Sequence, residues 1–190
     1  MKHTPPETNP RETCGSRSCD NDSHQDSPSG FRPAGRGQGC SERLVSRGLR
    51  CVTVLDVSAA ALARAWARLG AQADRVRWIE ADVTGPWTAP PVDIWHDRVV
   101  FHFLTEAEDR LRYVAQLRDM VKRGGTVIIG TFAPDGPERC SGLPVCRYDA
   151  AGIGAELGEG FTLVETVANA HRTPTGAVQS FSFSRFVREL

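Results

Sequence analysis

The feature that most constrains what this chain can fold into is Cys51-Val52-Thr53-Val54-Leu55-Asp56-Val57-Ser58. It is a short apolar run that delivers one carboxylate to its end. Such a run reads as a buried strand, and a strand that passes at once into a helix opens a βαβ unit, whose ligands sit beyond the carboxyl ends of the strands. Ser58 can cap that helix, and Ala59 to Leu69 holds good helix formers with Leu62, Trp66 and Leu69 on one face. Gly70 supplies the stop. An acid held just past such a strand can accept two hydrogen bonds from the vicinal hydroxyls of a ribose, and this makes Asp56 a candidate ligand contact. The plainer alternative is an aspartate that only serves helix entry.

The pattern downstream continues as α/β. Arg75 to Asp82 alternates and ends on a second acid, Asp82. Pro90 to Arg98 enters from a proline turn and ends on His96, Asp97 and Arg98, a polar cluster of the kind that carries chemistry at strand ends; Asp97 and Arg98 can equally pair with each other. Thr105-Glu106-Ala107-Glu108 reads as a capping box, opening a helix with Leu111, Val114, Leu117 and Val121 along one stripe, finished by Lys122, Arg123 and Gly124. Thr126 to Phe132 reads as a buried strand. The loop from Ala133 to Tyr148 has the length of a pocket-lining segment, and Asp149 can cap a short helix to Leu157. Phe161 to Val167 and Val178 to Val187 then form an antiparallel hairpin, with Phe181 and Phe183 on one face and Ser182 and Ser184 on the other.

The start of the chain differs in kind. Met1 to Gly39 contains no Val, Ile or Leu and is rich in Pro, Gly, Ser, Asn, Asp and Arg, so it cannot bury enough surface to offset its chain entropy. Disorder is expected over residues 1–36, with a folded domain over 37–190. Cys14, Cys19 and His24 do not have the spacing of a closed zinc site, and six cysteines in 190 residues are too sparse for a disulfide scaffold. Twenty-three basic and 23 acidic residues balance to a formal charge of zero, which argues against a nucleic-acid partner or an anionic membrane surface. No apolar run approaches the ~20 residues that span a bilayer, and the first residues lack a signal-peptide core. The expected location is cytoplasmic. Oligomeric state is not legible.

In order and spacing these elements resemble the class I S-adenosylmethionine-dependent methyltransferases. A strand ends on Asp56, the next on Asp82, helix-Gly124-Gly125 precedes a buried strand, and an antiparallel hairpin closes the chain. The resemblance covers about Gly37 to the C-terminus. It implies a doubly wound, mostly parallel Rossmann-like sheet whose last strand lies between the fifth and sixth. It also implies S-adenosylmethionine as cofactor, with Asp56 on the ribose, Val57 against the adenine, Asp82 on its amine, Val83 offering backbone, and Gly37 and Gly39 near the methionine half. His96, Asp97 and Arg98 would face the methyl group and a small-molecule acceptor.

One departure stands out. The family begins with an apolar strand that runs into the glycine loop and lies mid-sheet, and nothing before Gly35-Arg36-Gly37-Gln38-Gly39 resembles it. The first central strand is missing or replaced, and the abrupt boundary near Gly37 is what a misread or frame-shifted upstream segment would give. Two alternatives follow. One is a non-catalytic binding protein on the methyltransferase fold. The other is an NAD-dependent oxidoreductase using Gly35, Gly37 and Asp56, although Cys40 stands where its third glycine is needed.

Overall fold

A computed structural model of the chain describes residues 40–49, 51–173 and 176–190. The expected disordered segment, Gly37 and Gly39 therefore lie outside the described residues, and the fold belongs to the compact unit Pro33–Leu190.

Val52–Asp56 (β1) forms the expected strand and pairs in parallel with Val76–Glu80 (β2), Val52 opposite Val76 and Asp56 opposite Glu80. Between them lies Ala59–Leu69 (α2), capped as expected by Ser58, whose Oγ accepts from Ala61 N at 3.2 Å. Its buried face is Leu62, Ala65 and Leu69. Trp66, expected on that face, is 45% exposed and tilts onto Trp78 instead. The spacing of three and four residues that puts Ala65 inward turns Trp66 about 100° away from the sheet. Gly70 ends the helix at φ 54°, and a 3₁₀ turn through Arg75 leads into β2. A short first helix, Cys40–Ser46 (α1), lays Val45 on this layer, and Val45, Val52, Leu69, Ala73 and Val76 form one small core.

The rest is a four-stranded sheet. Val92–Arg98 (β3) is parallel to Val121–Phe132 (β4); β4 is antiparallel to Val178–Arg188 (β8), which is antiparallel in turn to Phe161–Arg172 (β7). The order β3-β4-β8-β7 puts the last strand inside the sheet, as the resemblance implies. Ser182 and Ser184, on the face opposite Phe181 and Phe183 as expected, are buried on the side where Phe186 enters the core. Ala107–Met120 (α3) and Ala150–Leu157 (α4) supply Tyr113, Val114, Leu117, Ile153 and Leu157 to a larger core with Val127, Ile129 and Phe186. Asp149 caps α4 as expected, accepting from Gly152 N at 2.7 Å. A tiny hairpin, Arg139–Cys140 (β5) with Leu143–Pro144 (β6), sits in the long loop.

Three expectations about α3 are corrected. Its N-cap is Glu106 without a side-chain cap bond, so the capping box at Thr105 is not formed. Leu111 is 69% exposed, and Tyr113 takes the inward position, since Tyr113, Val114 and Leu117 share one face. The helix stops at Met120, and Val121 to Gly125 already belongs to β4, Gly124 taking the turn at φ 75°. The helix end is closed from a distance by the Arg188 guanidinium, which donates to the carbonyls of Arg118 and Val121.

Among the described residues, β1 pairs only with β2, and β3 only with β4. The sheet is split where the resemblance places its first strand.

Candidate active site

The two strand-end acids come together. Ala81 N donates to the Asp56 carbonyl at 3.2 Å, so Asp56 and Asp82 leave the same end of the β1–β2 ladder. Each has one carboxylate oxygen tied into its own turn. Asp56 Oδ1 accepts from Ser58 N at 2.8 Å, and Asp82 Oδ1 accepts from Thr84 N and Oγ1, both at 2.8 Å. These bonds orient the carboxylates, and among the described residues Oδ2 of each has no donor. The Thr84 backbone and side-chain bonds hold the Asp82 carboxyl below its usual range, so it is charged. Val57 is 72% exposed beside Asp56, an apolar side chain presented at the strand end. Val83 is buried, and its carbonyl accepts from Trp87 Nε1 at 3.3 Å.

A cleft of about 160 Å³ opens between β1 and β3. Leu55 and Val83, the chain neighbours of the two acids, line it together with Trp87, Ile94, Trp95, His96, Asp97 and Tyr113.

His96, Asp97 and Arg98 do not form one cluster. Asp97 is buried and turned inward, where Oδ2 accepts from Tyr113 Oη at 2.7 Å and Phe101 N at 3.0 Å, and Oδ1 from Val100 N at 2.8 Å. It pairs with these donors and not with Arg98. Burial raises its carboxyl above the ordinary range, against the pull of those bonds. Tyr113 Oη in turn accepts from Trp95 Nε1 at 2.9 Å. The bonds clamp the turn that follows β3, in which Val99 sits at φ 62°, a conformation β-branched residues rarely take. Asp97 thus fixes the turn that follows β3. His96 is half-buried, and burial, then the Arg98 charge, lowers its pKa, so it is neutral near pH 7. Arg98 is exposed.

Tyr113, Trp95 and Trp87 were not singled out from the sequence. The signal for Tyr113 was its place four residues before Leu117 on the α3 stripe. His102 is fully buried; its Nδ1 accepts from Phe132 N at 3.4 Å, while Nε2 has no hydrogen-bond partner among the described residues. No group of metal-ligating side chains occurs among the described residues, and no helix there is long and apolar enough to cross a membrane.

A doubly wound sheet with acids at the ends of its first paired strands and its last strand inserted antiparallel defines a Rossmann-like methyltransferase fold. Residues 34–125 match the sequence model of a methyltransferase domain. Solved structures agree on the fold. The N-methyltransferase NodS from Bradyrhizobium japonicum is 21% identical, with a TM-score of 0.60 over 74% of each chain. A SAM-dependent methyltransferase from Methanosarcina mazei is 12% identical, TM-score 0.64, over 79% of this chain and 87% of that one. The 1,6-didemethyltoxoflavin-N1-methyltransferase of Burkholderia thailandensis, solved with S-adenosylhomocysteine, is 19% identical, TM-score 0.59, over 79% and 66%. No curated protein matches in sequence. Among these neighbours, one is a SAM-dependent methyltransferase and another holds S-adenosylhomocysteine.

Proposed function

We propose that this protein transfers a methyl group from S-adenosylmethionine to a small-molecule acceptor. The observation that carries the reading is the pair of acids, Asp56 and Asp82, at one end of the β1–β2 ladder, each pre-oriented through one oxygen with the other available. These groups fit the cofactor. Asp56 would accept from the ribose hydroxyls, Val57 would lie against the adenine, Asp82 would take the exocyclic amine and Val83 would offer its backbone. Gly37 and Gly39, assigned to the methionine half by the resemblance, lie outside the described residues.

When bound, the cofactor supplies a methyl group already activated on a sulfonium. What remains for the protein is to align the acceptor and exclude water. Neutral His96 can take a proton from an acceptor hydroxyl or amine, and exposed Arg98 can hold an acceptor carboxylate. Asp97 only holds the turn that carries them. The balanced net charge and the small-molecule substrate of the toxoflavin enzyme both support a small acceptor.

Calorimetric titration with S-adenosylhomocysteine tests this. Asp56→Asn should weaken binding by roughly 10- to 150-fold, the worth of about 1.5–3 kcal/mol in charge-assisted bonds. Equal affinity in the variant removes Asp56 from the site. The split between β1 and β3 favours a second reading, a non-catalytic protein on the same fold, and absence of any binding by the wild type would establish it. Binding of NAD in place of S-adenosylhomocysteine would point to the oxidoreductase.

A further inference from the structure

We infer that residues 137–145 are a hinged flap at the carboxyl end of β4, and that its opening bares His102, whose Nε2–H binds an uncharged oxygen of the acceptor. The flap stands whatever the protein catalyses. That the bound oxygen belongs to a methyl acceptor rests on the proposed function.

The loop between β4 and α4 returns to its own start. Ala133 N donates to the Ser180 carbonyl and Tyr148 N to the Phe132 carbonyl, both at 3.0 Å, so the two ends of the loop leave the sheet side by side. The bonds between those ends are internal. Val145 N donates to the Glu138 carbonyl at 3.1 Å, Arg139 pairs with Pro144 and its guanidinium donates to the Gly142 carbonyl, and Arg147 reaches both the Gly136 carbonyl and the Glu138 carboxylate at 3.2 Å. Among the described residues no hydrogen bond joins 137–145 to anything outside this loop. A compact loop with adjoining ends and its own bonds opens as a unit. Its hinge holds by few contacts. Cys146 N donates to the His102 carbonyl at 2.8 Å, and Ser180 Oγ donates to exposed Asp135 at 3.3 Å. Gly136 lies so close to the sheet that a Cβ there would be 2.8 Å from the Ser180 carbonyl oxygen.

His102 sits under that hinge. Its carbonyl takes the Cys146 bond, and its ring lies 5.0 Å from that of Phe132, whose carbonyl takes the Tyr148 bond. Because Nδ1 accepts from Phe132 N, the proton of the neutral ring is on Nε2, and among the described residues this N–H meets no acceptor. A buried donor left unmatched is costly, and a ligand oxygen would satisfy it. With Phe103 and Phe132 against the ring, a carbonyl or hydroxyl oxygen suits the place, whereas a carboxylate would lose its hydration beside a neutral imidazole.

The test uses the full chain. In amide hydrogen exchange, Val145, Cys146 and Tyr148 should exchange together and roughly 100-fold faster than Ile129 in β4. Gly136→Ala should speed the three by about tenfold more and leave Ile129 unchanged; Asp135→Ala, at an exposed side chain, should act in the same direction and serves if the first variant does not fold. Diethyl pyrocarbonate, mapped by mass spectrometry, should modify His102 about tenfold faster in the opened variant, while exposed His171 reacts equally in both. Millimolar benzamide should then protect His102, and benzoate should not. Exchange of the three amides at the rate of Ile129, a quickened flap without quicker His102 modification, or protection by neither probe or by benzoate alone would each overturn the inference. None of these readouts involves the cofactor, so failure of S-adenosylhomocysteine binding would count only against the methyl-transfer reading.

Discussion

Buried Asp97 accepts from Tyr113 Oη and from two backbone amides of the turn after β3. Its carboxyl value is raised, so the native state holds a proton more tightly than the unfolded chain, and the group's contribution to stability falls as pH rises above about 3.8 toward the native value. Tyr113→Phe removes a bond that opposes that rise and leaves Trp95 Nε1 without its acceptor. The loss should be about 1–3 kcal/mol, larger at pH 7 than at pH 4, by urea unfolding at both pH values. A loss independent of pH would show that the hydroxyl does not act through Asp97. His102 has the opposite sign. Burial lowers it to about 4 from 6.5, so its stability is fully present above 6.5 and is lost as pH falls through about 4. His102→Gln, which does not titrate, should flatten the stability curve between pH 4 and 6.5, and an unaltered acid limb would exclude His102 as its source.

At the level of elements, β4 and β8 are in tight contact. A Cβ on Gly130 would lie 2.4 Å from Phe183 Cε1, closer than any real contact, so Gly130→Ala should cost about 1–3 kcal/mol through overpacking. Gly142, at φ 83° with nothing near its missing Cβ, offers the contrast: Gly142→Ala should cost only about 1 kcal/mol of backbone strain. Equal losses in denaturant titrations would show that space at Gly130 is not limiting. The sequence made these elements legible wherever the signal is local. The β1–α2 unit carries its own cap at Ser58, α4 its own at Asp149, and the hairpin its own alternation. It failed where a partner comes from afar. The end of α3 depends on Arg188, 67 residues from Val121, and no motif near Met120 reveals that. The role of Asp97 depends on Tyr113, which reaches it only after α3 has packed. The two strand-end acids were legible as candidates because a strand-to-helix turn presents them locally, whereas the cleft is a property of the whole sheet.

Across the molecule, the described residues carry two separate apolar cores, one around Val45, Val52 and Leu69 and one around Phe101, Leu117 and Ile129. Although no described ladder joins β1 to β3, Leu55 of β1 and Val83 after β2 pack on the second core, and Gln116 of α3 donates to the Gly85 carbonyl at 3.0 Å. We predict a single transition in denaturant, shifted by Leu69→Ala and by Leu117→Ala, each by about 2–5 kcal/mol. Two separate transitions, each moved by only one variant, would show that the cores melt independently. The chain contains four tryptophans, and they fall into two couples: Trp66 with Trp78, centroids 5.6 Å apart, on the β1–β2 half, and Trp87 with Trp95, 6.1 Å apart, on the cleft side. Indoles this close exchange excitation. Each half therefore carries its own chiral chromophore pair, and near-ultraviolet circular dichroism should report the two halves separately without any added label.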